Sequence, residues 1–285
     1  MAVRAESARR RKRIKTIISG SAALVVVVGA VVVVTMLAMD DGDGAASAAA
    51  SPESCVYQPV ADPSAASPEP LPDGIQQVGA PDESSVVRSG VQLMTLNTSQ
   101  GTLRIQVETG KAPCTAASFT HLAGQQFFDE TICHRLTTEG IYVIQCGDPS
   151  GSGMGGPDYR IRDENLPVDK VPTYPEGTVA MANAGANTNG SQFFIVYQDS
   201  ELPASYTVFG HVLQGLDIIK RVASTGVEPT DPSNPGDGAP KAEVKIASMI
   251  IDPAAPSLPD LPPASPLPAM STPSVAPSET ASPAS

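Results

Sequence analysis

The 285-residue sequence has no tryptophan, three histidines and four cysteines, and aromatic residues make up only 4 % of it. Cys55, Cys114, Cys133 and Cys146 form no CxxC pair, and His121, His134 and His211 show no ligand spacing, so a zinc site is not expected. No other metal or cofactor is indicated. Positive charge is scarce too: 18 Lys+Arg stand against 30 Asp+Glu, for a net charge of −12. A nucleic-acid binder would present clustered Lys and Arg to phosphates, which an acidic body does not. The common catalytic signatures are also missing. Residues Gly151 to Gly156 fit the spacing GxGxxG, but Pro157-Asp158 follows and no helix begins there, so a dinucleotide site is not supported. Ser191 lies in no GxSxG turn.

What is present is unevenly distributed. Residues 1–15 carry Arg4, Arg9, Arg10, Arg11, Lys12, Arg13 and Lys15 against the single acid Glu6, so the remainder of the chain is even more acidic than the total suggests. Residues 16–39 contain no charge, long enough as a helix to span a bilayer. With the basic cluster before it and Asp40, Asp41 and Asp43 after it, the run reads as a membrane anchor with a cytoplasmic N-terminus. A cleaved leader, cut near Ala46–Ala50, is the alternative. Everything after Asp40 would then be extracytoplasmic, in a compartment that permits disulfides; four cysteines allow three full pairings. Residues 40–90, rich in Ala, Ser, Pro, Asp and Gly, read as an extended stalk, and residues 253–285, with ten prolines, as a disordered tail.

Residues 91–252 are different. All Phe and Tyr except Tyr57 lie between Phe119 and Phe209. Leu93, Thr95 and Asn97, then Leu103, Ile105 and Val107, alternate with period two around a turn and predict a hairpin. Pro113 and Thr115 open a helix whose Phe119, Leu122 and Ala123 share one face. Short strands are expected at 131–136, 142–146, 178–182, 193–197, 207–212 and 244–251, and a second helix over 216–222. Many short strands with two separated helices suggest a closed β-barrel capped by helices.

Two stretches are more specific: FFDETICHR at 127–135, continuing to QCGDP at 145–149, and GTVAMANAGANTNGSQFFI at 177–195. With Tyr206-Thr207-Val208-Phe209-Gly210 they resemble the cyclophilin family of peptidyl-prolyl cis–trans isomerases, in particular its membrane-anchored bacterial members. The resemblance implies a closed eight-stranded antiparallel barrel with a helix at each end and a site on its outer face. No cofactor is needed. Rotation about an X–Pro bond is slow, about 10–100 s uncatalysed, and its twisted transition state leaves a lone pair on the proline nitrogen. A catalyst needs a donor near that nitrogen, a dry pocket for the ring and clamps on the peptide.

By resemblance Arg135 is that donor, supported by Gln145, and Phe194 is the pocket floor. Phe193 and Phe194 are neighbours on a strand and face opposite ways, so one is core and the other is pocket. Val143 and Leu202 are expected as walls, Gln192 as a polar partner, Gly153 at a subsidiary groove, and Asn183 between the small residues Ala182 and Ala184 as the backbone clamp. The chain departs from the family pattern in places. Gln145 follows Arg135 by ten residues rather than eight, so Tyr142 and Val143 align with the usual aromatic–Met pair only if the register does not slip by one. Tyr206 stands where many members have a pocket histidine.

The expected partners are proline-containing segments of secreted or surface proteins, with the membrane engaged by the N-terminal run. A non-catalytic proline-peptide module or holdase using the same groove, or a structural wall-anchoring protein, are the competing functions. Cys133 and Cys146 lie on the two strands of the site hairpin, where a disulfide would stiffen it or make it redox-sensitive; buried free thiols are the alternative. Glu201 occupies the position often held by a cyclosporin-contacting Trp, so weak inhibition by cyclosporin is expected; a low-nanomolar inhibition constant would refute this.

Overall fold

The computed structural model describes residues 54–61 and 70–254; the expected basic segment at 1–15, the apolar run at 16–39, and nearly all of the Pro-rich tail lie outside the described residues. Among the described residues no helix is long and apolar enough to cross a membrane.

The elements begin with β1 (Tyr57–Pro59), β2 (Ile75–Gln76) and a 3₁₀ turn at Glu83–Ser85. The hairpin β3 (Gln92–Thr98) and β4 (Gly101–Val107) leads to helix α1 (Pro113–Gly124). Then come β5 (Arg135–Thr137), β6 (Val143–Cys146), β7 (Gly156–Pro157), β8 (Tyr159–Ile161), β9 (Thr178–Met181), β10 (Phe193–Val196) and β11 (Val208–Gln214). Helix α2 (Leu216–Ser224), β12 (Val227–Pro229), β13 (Asp237–Pro240) and β14 (Ile246–Ile251) finish the fold.

The expected hairpin is present, with Gln92 paired to Val107 and Thr98 to Gly101. On β4 the expected set Leu103, Ile105 and Val107 is buried, but on β3 the buried apolar residues are Met94 and Leu96, so Leu93, Thr95 and Asn97 lie on the other face. Pro113 starts α1 where its missing N–H costs nothing. Ala112 offers no side-chain cap, and the Glu164 carboxylate accepts from the Cys114 N–H at 3.0 Å and the Thr115 N–H at 2.8 Å instead. An acid there also suits the positive end of the helix. Burial pushes the Glu164 pKa up against these hydrogen bonds.

One sheet runs β12-β13-β5-β6-β10-β9-β11-β4-β3-β14. The eight members from β5 to β14 are the expected barrel strands, but they do not close as a ladder. The seam is one bridge, Ile132 to Lys245, flanked by hydrogen bonds from Glu130 N–H to Ile246 O (2.7 Å) and from Cys133 N–H to Val244 O (2.8 Å). Just after Glu130, whose φ is 63°, residues 131–134 make this one bridge instead of the continuous strand expected at 131–136, and β5 begins at Arg135. The closed eight-stranded barrel is thereby corrected to an open ten-stranded sheet, curled until its seam is stitched. The extra pair, β12 and β13, carries Pro229, Gly238 and Pro240, which blunt an edge rather than extend it.

The concave side holds the main core. Phe119 on α1 lies 4.6 Å from Phe209, 5.3 Å from Phe128 and 5.6 Å from Phe193 between ring centres. From α2, Ile219 and Val222 join the same core.

The stalk expected at 40–90 is corrected for the part that is described. Residues 54–61 and 70–90 are fastened to the domain. Cys55 is disulfide-bonded to Cys114, β1 pairs antiparallel with β8, and β2 pairs parallel with β7. The Tyr57 ring packs edge-on against Tyr159 at 5.4 Å. The Asp158 carboxylate accepts from the backbone N–H of Val78 (3.2 Å) and Gly79 (3.1 Å). Composition hid this because the pairing uses backbone groups, which every residue has.

Phe119→Ala is expected to lower the unfolding free energy by about 3–5 kcal/mol. The check is the urea midpoint, which should fall at unchanged slope.

Candidate active site

The site lies on the convex face and follows from strand register. Arg135 on β5 is opposite Gln145 on β6, Gln145 is opposite Phe194 on β10, and Phe194 is opposite Ala180 on β9. Cross-strand partners share a face, so these four form one row outside the core. Their neighbours Leu136, Ile144, Phe193 and Val179 point inward and are fully buried.

Outside, Phe194 belongs to a second, smaller apolar cluster with Val143, Tyr174, Ala180 and Val196, edged by Ile141, Ala182, Leu202, Tyr206 and Val208. Tyr206 and Tyr174 stand edge-on to the Phe194 ring at 5.6 and 5.8 Å. Tyr174 is held by hydrogen bonds from its hydroxyl to the carbonyls of Pro203 and Tyr206, both 3.2 Å, and burial pushes its pKa up to about 12. Phe194 itself is buried, at 5 % exposure, while Leu202 and Tyr206 at the edge of the cluster are half-buried, so the patch meets solvent at its rim.

The polar half is one connected chain. Arg135 donates from Nε and Nη2 to the two oxygens of Asp237 at 2.7 and 2.6 Å. Its Nη1 donates to Gln145 Oε1 at 3.4 Å. Gln145 donates to Gln192 Oε1 at 2.8 Å, and Gln192 donates to the carbonyls of Gly153 (3.0 Å) and Gly155 (2.9 Å). The hydrogen bonds to Asp237 raise the Arg135 pKa further, so the guanidinium stays charged. Of its five N–H groups, one on Nη1 and one on Nη2 are left for a ligand.

Beside this chain is a cavity of about 240 Å³, lined by Gln145, Gln192, Gly153, Arg160 and the segment Ala182–Ala184. The Asn183 side chain is fixed by donating to Ser205 O at 2.9 Å. Small residues on either side keep the backbone there approachable. The cavity's outer wall is the 147–157 loop, wound around Asp148, whose carboxylate accepts from the N–H of Ser150, Gly153 and Gly155. Burial alone would raise the Asp148 pKa; these hydrogen bonds outweigh it and hold the carboxyl below its usual range. Gly147 must be glycine: its φ is +88° and a Cβ would lie 2.3 Å from the Ser191 carbonyl oxygen.

The structure thus brings together Arg135, Gln145, Phe194, Val143, Gly153, Ala182, Asn183, Ala184, Gln192, Leu202 and Tyr206. Tyr142 is the exception: it packs on the main core, edge-on to Tyr197 at 6.0 Å. Gln145 pairs with Arg135 and Phe194, which fixes the faces of β6: Val143, two residues away, lies on the patch side with Ile141, and Tyr142 does not. Sequence reasoning missed Asp237, Tyr174, Ile141 and Arg160. Only the aromatic character of Tyr174 offered a signal; Asp237 lies 102 residues from its partner. The four cysteines are paired Cys55–Cys114 and Cys133–Cys146, the second joining the residues just before β5 to the last residue of β6.

The sequence model of the family described as cyclophilin type peptidyl-prolyl cis-trans isomerase/CLD matches residues 93–251. The chain belongs to this family. Among its cyclophilin relatives, a probable peptidyl-prolyl cis-trans isomerase B of Mycobacterium leprae is 41 % identical over 211 residues, 70 % of this chain and 67 % of the relative. The protein of the same name from Mycobacterium tuberculosis is 41 % identical over 70 % of this chain and 64 % of its own length. A peptidyl-prolyl cis-trans isomerase-like 1 of Neurospora crassa is 38 % identical over 54 % of this chain and 90 % of that one. The present cyclophilin therefore spans about two thirds of the length of its mycobacterial relatives.

His134, beside Arg135, has both ring nitrogens buried without a hydrogen-bond partner. Burial lowers its pKa, the Arg135 charge lowers it further, and Asp148 opposes the shift. The unfolded chain therefore takes up this proton more readily than the folded one. The stability it contributes is present above the ordinary histidine pKa of about 6.5 and is lost as pH falls through it. The unfolding free energy should decline between pH 7.5 and 5.5, and His134→Phe should flatten that part of the profile, measured by urea unfolding at each pH.

Proposed function

We propose that this cyclophilin accelerates rotation about X–Pro bonds in polypeptides outside the cytoplasmic membrane and so assists their folding. One observation carries the reading: a charged donor with unused N–H groups is fixed in the same strand row as Phe194, the centre of a small apolar cluster on the outer face whose rim is half-buried. The pyrrolidine ring would sit on Phe194 between Val143, Leu202 and Tyr206, while extended backbone runs along Ala182–Ala184. Arg135 would donate toward the proline nitrogen as it becomes pyramidal, an interaction absent from the planar ground state. Gln145 and Asp237 act by position: they hold the guanidinium so that it need not reorganise during rotation. Isomerisation of prolyl bonds limits the folding of many chains, which gives such a catalyst its substrates.

The location rests on the charge-free run at residues 16–39 with the basic cluster before it, and is supported by two disulfides, the usual mark of an oxidising compartment.

Arg135→Ala is expected to reduce kcat/KM toward a short Xaa-Pro peptide by roughly 10²–10³-fold, the usual loss for one transition-state donor. Asp237→Asn should lower kcat by a smaller factor, because the donor remains but is less firmly held. If wild type and Arg135→Ala both give only the uncatalysed rate, the groove is a binding module and the enzymatic reading fails.

A further inference from the structure

We infer that residues 54–61 and 70–90, outside the segment that matches the family, form a positioning strap that shapes the outer wall of the 240 Å³ cavity and so sets affinity for peptides longer than the proline dipeptide. The inference rests on the isomerase reading above.

The strap meets the wall at both of its layers. β2 pairs with β7, directly after the 147–155 loop, and the Gly156 N–H donates to the Gly74 carbonyl at 3.2 Å. Gly74 is seated against that loop: a Cβ on it would lie 3.0 Å from Ser150 Oγ and 3.1 Å from Gly155 Cα, with φ at +83°. β1 pairs with β8, placing Gln58 opposite Arg160, the basic residue lining the cavity. The wall residues 153–160 are thus held from outside by the strap and from inside by Gln192, which reaches Gly153 and Gly155 and is joined through Gln145 to Arg135.

The strap is itself anchored away from the site. Cys55 is bonded to Cys114 in the first turn of α1, and its N–H donates to Glu83 at 3.0 Å. The Tyr57 hydroxyl donates to the Cys114 carbonyl at 3.1 Å, and His121 on α1 lies 2.8 Å from the Gly79 carbonyl. Helix, strap and loop therefore form a continuous brace. A substrate that occupies only the proline patch does not touch the braced wall; one that extends along Ala182–Ala184 into the cavity does.

The test compares the full chain with two variants. Cys55→Ser/Cys114→Ser frees the anchored end, and Gly74→Ala keeps the disulfide but presses a methyl on Ser150 and Gly155. Prolyl exchange is followed by NMR for a blocked Ala-Pro dipeptide and for an octapeptide with Ala-Pro at its centre. The octapeptide KM should rise roughly three- to ten-fold in both variants. The dipeptide KM, and kcat for both substrates, should stay within about twofold of wild type. An unchanged octapeptide KM in Gly74→Ala overturns the inference, as does a parallel loss on both peptides, which would mark general destabilisation. A wild type that accelerates neither peptide overturns the isomerase reading and the inference with it; an active wild type with unaltered variants overturns the inference alone. Gly74→Ala decides the matter should the cysteine variant fail to fold.

Discussion

A β-pleat gives each strand two faces, and this molecule makes both of them apolar on the same three strands. On β6, β9 and β10 the inward residues fill the core while the outward residues build the patch around Phe194. The site depends on this constraint. A one-residue slip between β6 and β10 would exchange Phe193 with Phe194 and put a glutamine into the core, so the packing of the interior specifies the geometry of the exterior. The cross-strand row Arg135–Gln145–Phe194–Ala180 is then not a chance meeting of loops but a consequence of how the sheet must pair to bury its aromatics. Side chains carried on strands are held more firmly than side chains on loops, which suits a donor that must be aimed before the reaction begins.

The polar half of the site illustrates how little stability its contacts need to supply. The ion pair between Arg135 and Asp237 is partly exposed, with the arginine side chain 40 % accessible, so its net contribution to folding is small. Its worth is directional. A bidentate pair fixes the plane of the guanidinium as a single contact cannot. The successive amides of Gln145 and Gln192 extend that orientation to the backbone of the 153–155 loop. The apolar patch and the cavity beside it are thereby kept in a constant relation.

Much of this was readable from residues alone, and what was not has physical reasons. The hairpin at 92–107, the helix beginning at Pro113 and the strands around Phe193 and Val179 announce themselves because one side of each is buried, which imposes a period on the sequence. Two aromatics side by side at 193–194 told that one must leave the core, and the family motif told which. By contrast β7 is only Gly156-Pro157, the alternation Tyr159-Arg160-Ile161 of β8 is only three residues long, and β12 and β13 carry Pro229, Gly238 and Pro240, which argue against strands. The strap pairs through backbone, so its Ala, Ser and Pro content resembled that of a solvated stalk. Tyr142 was misplaced because an aromatic beside a strand suits a pocket wall and a core equally well, and only the pairing of β6 shows that it takes the face opposite to Gln145. Asp237 could not be found at all: an acid in a Gly-rich, Pro-rich stretch looks like any solvated carboxylate until the fold sets it against an arginine.

Arg135 and Asp237 are 102 residues apart along the chain, so the donor and the group that aims it come from different parts of the sequence. A ribosome delivers the arginine, the glutamines and both phenylalanines well before the β12–β13 hairpin that restrains the guanidinium. Without that hairpin on β5, the guanidinium would lack both of its hydrogen bonds to Asp237. The apolar patch and the aim of the arginine beside it are therefore set by separate parts of the chain, and a change in the hairpin can reach the second while leaving the first intact.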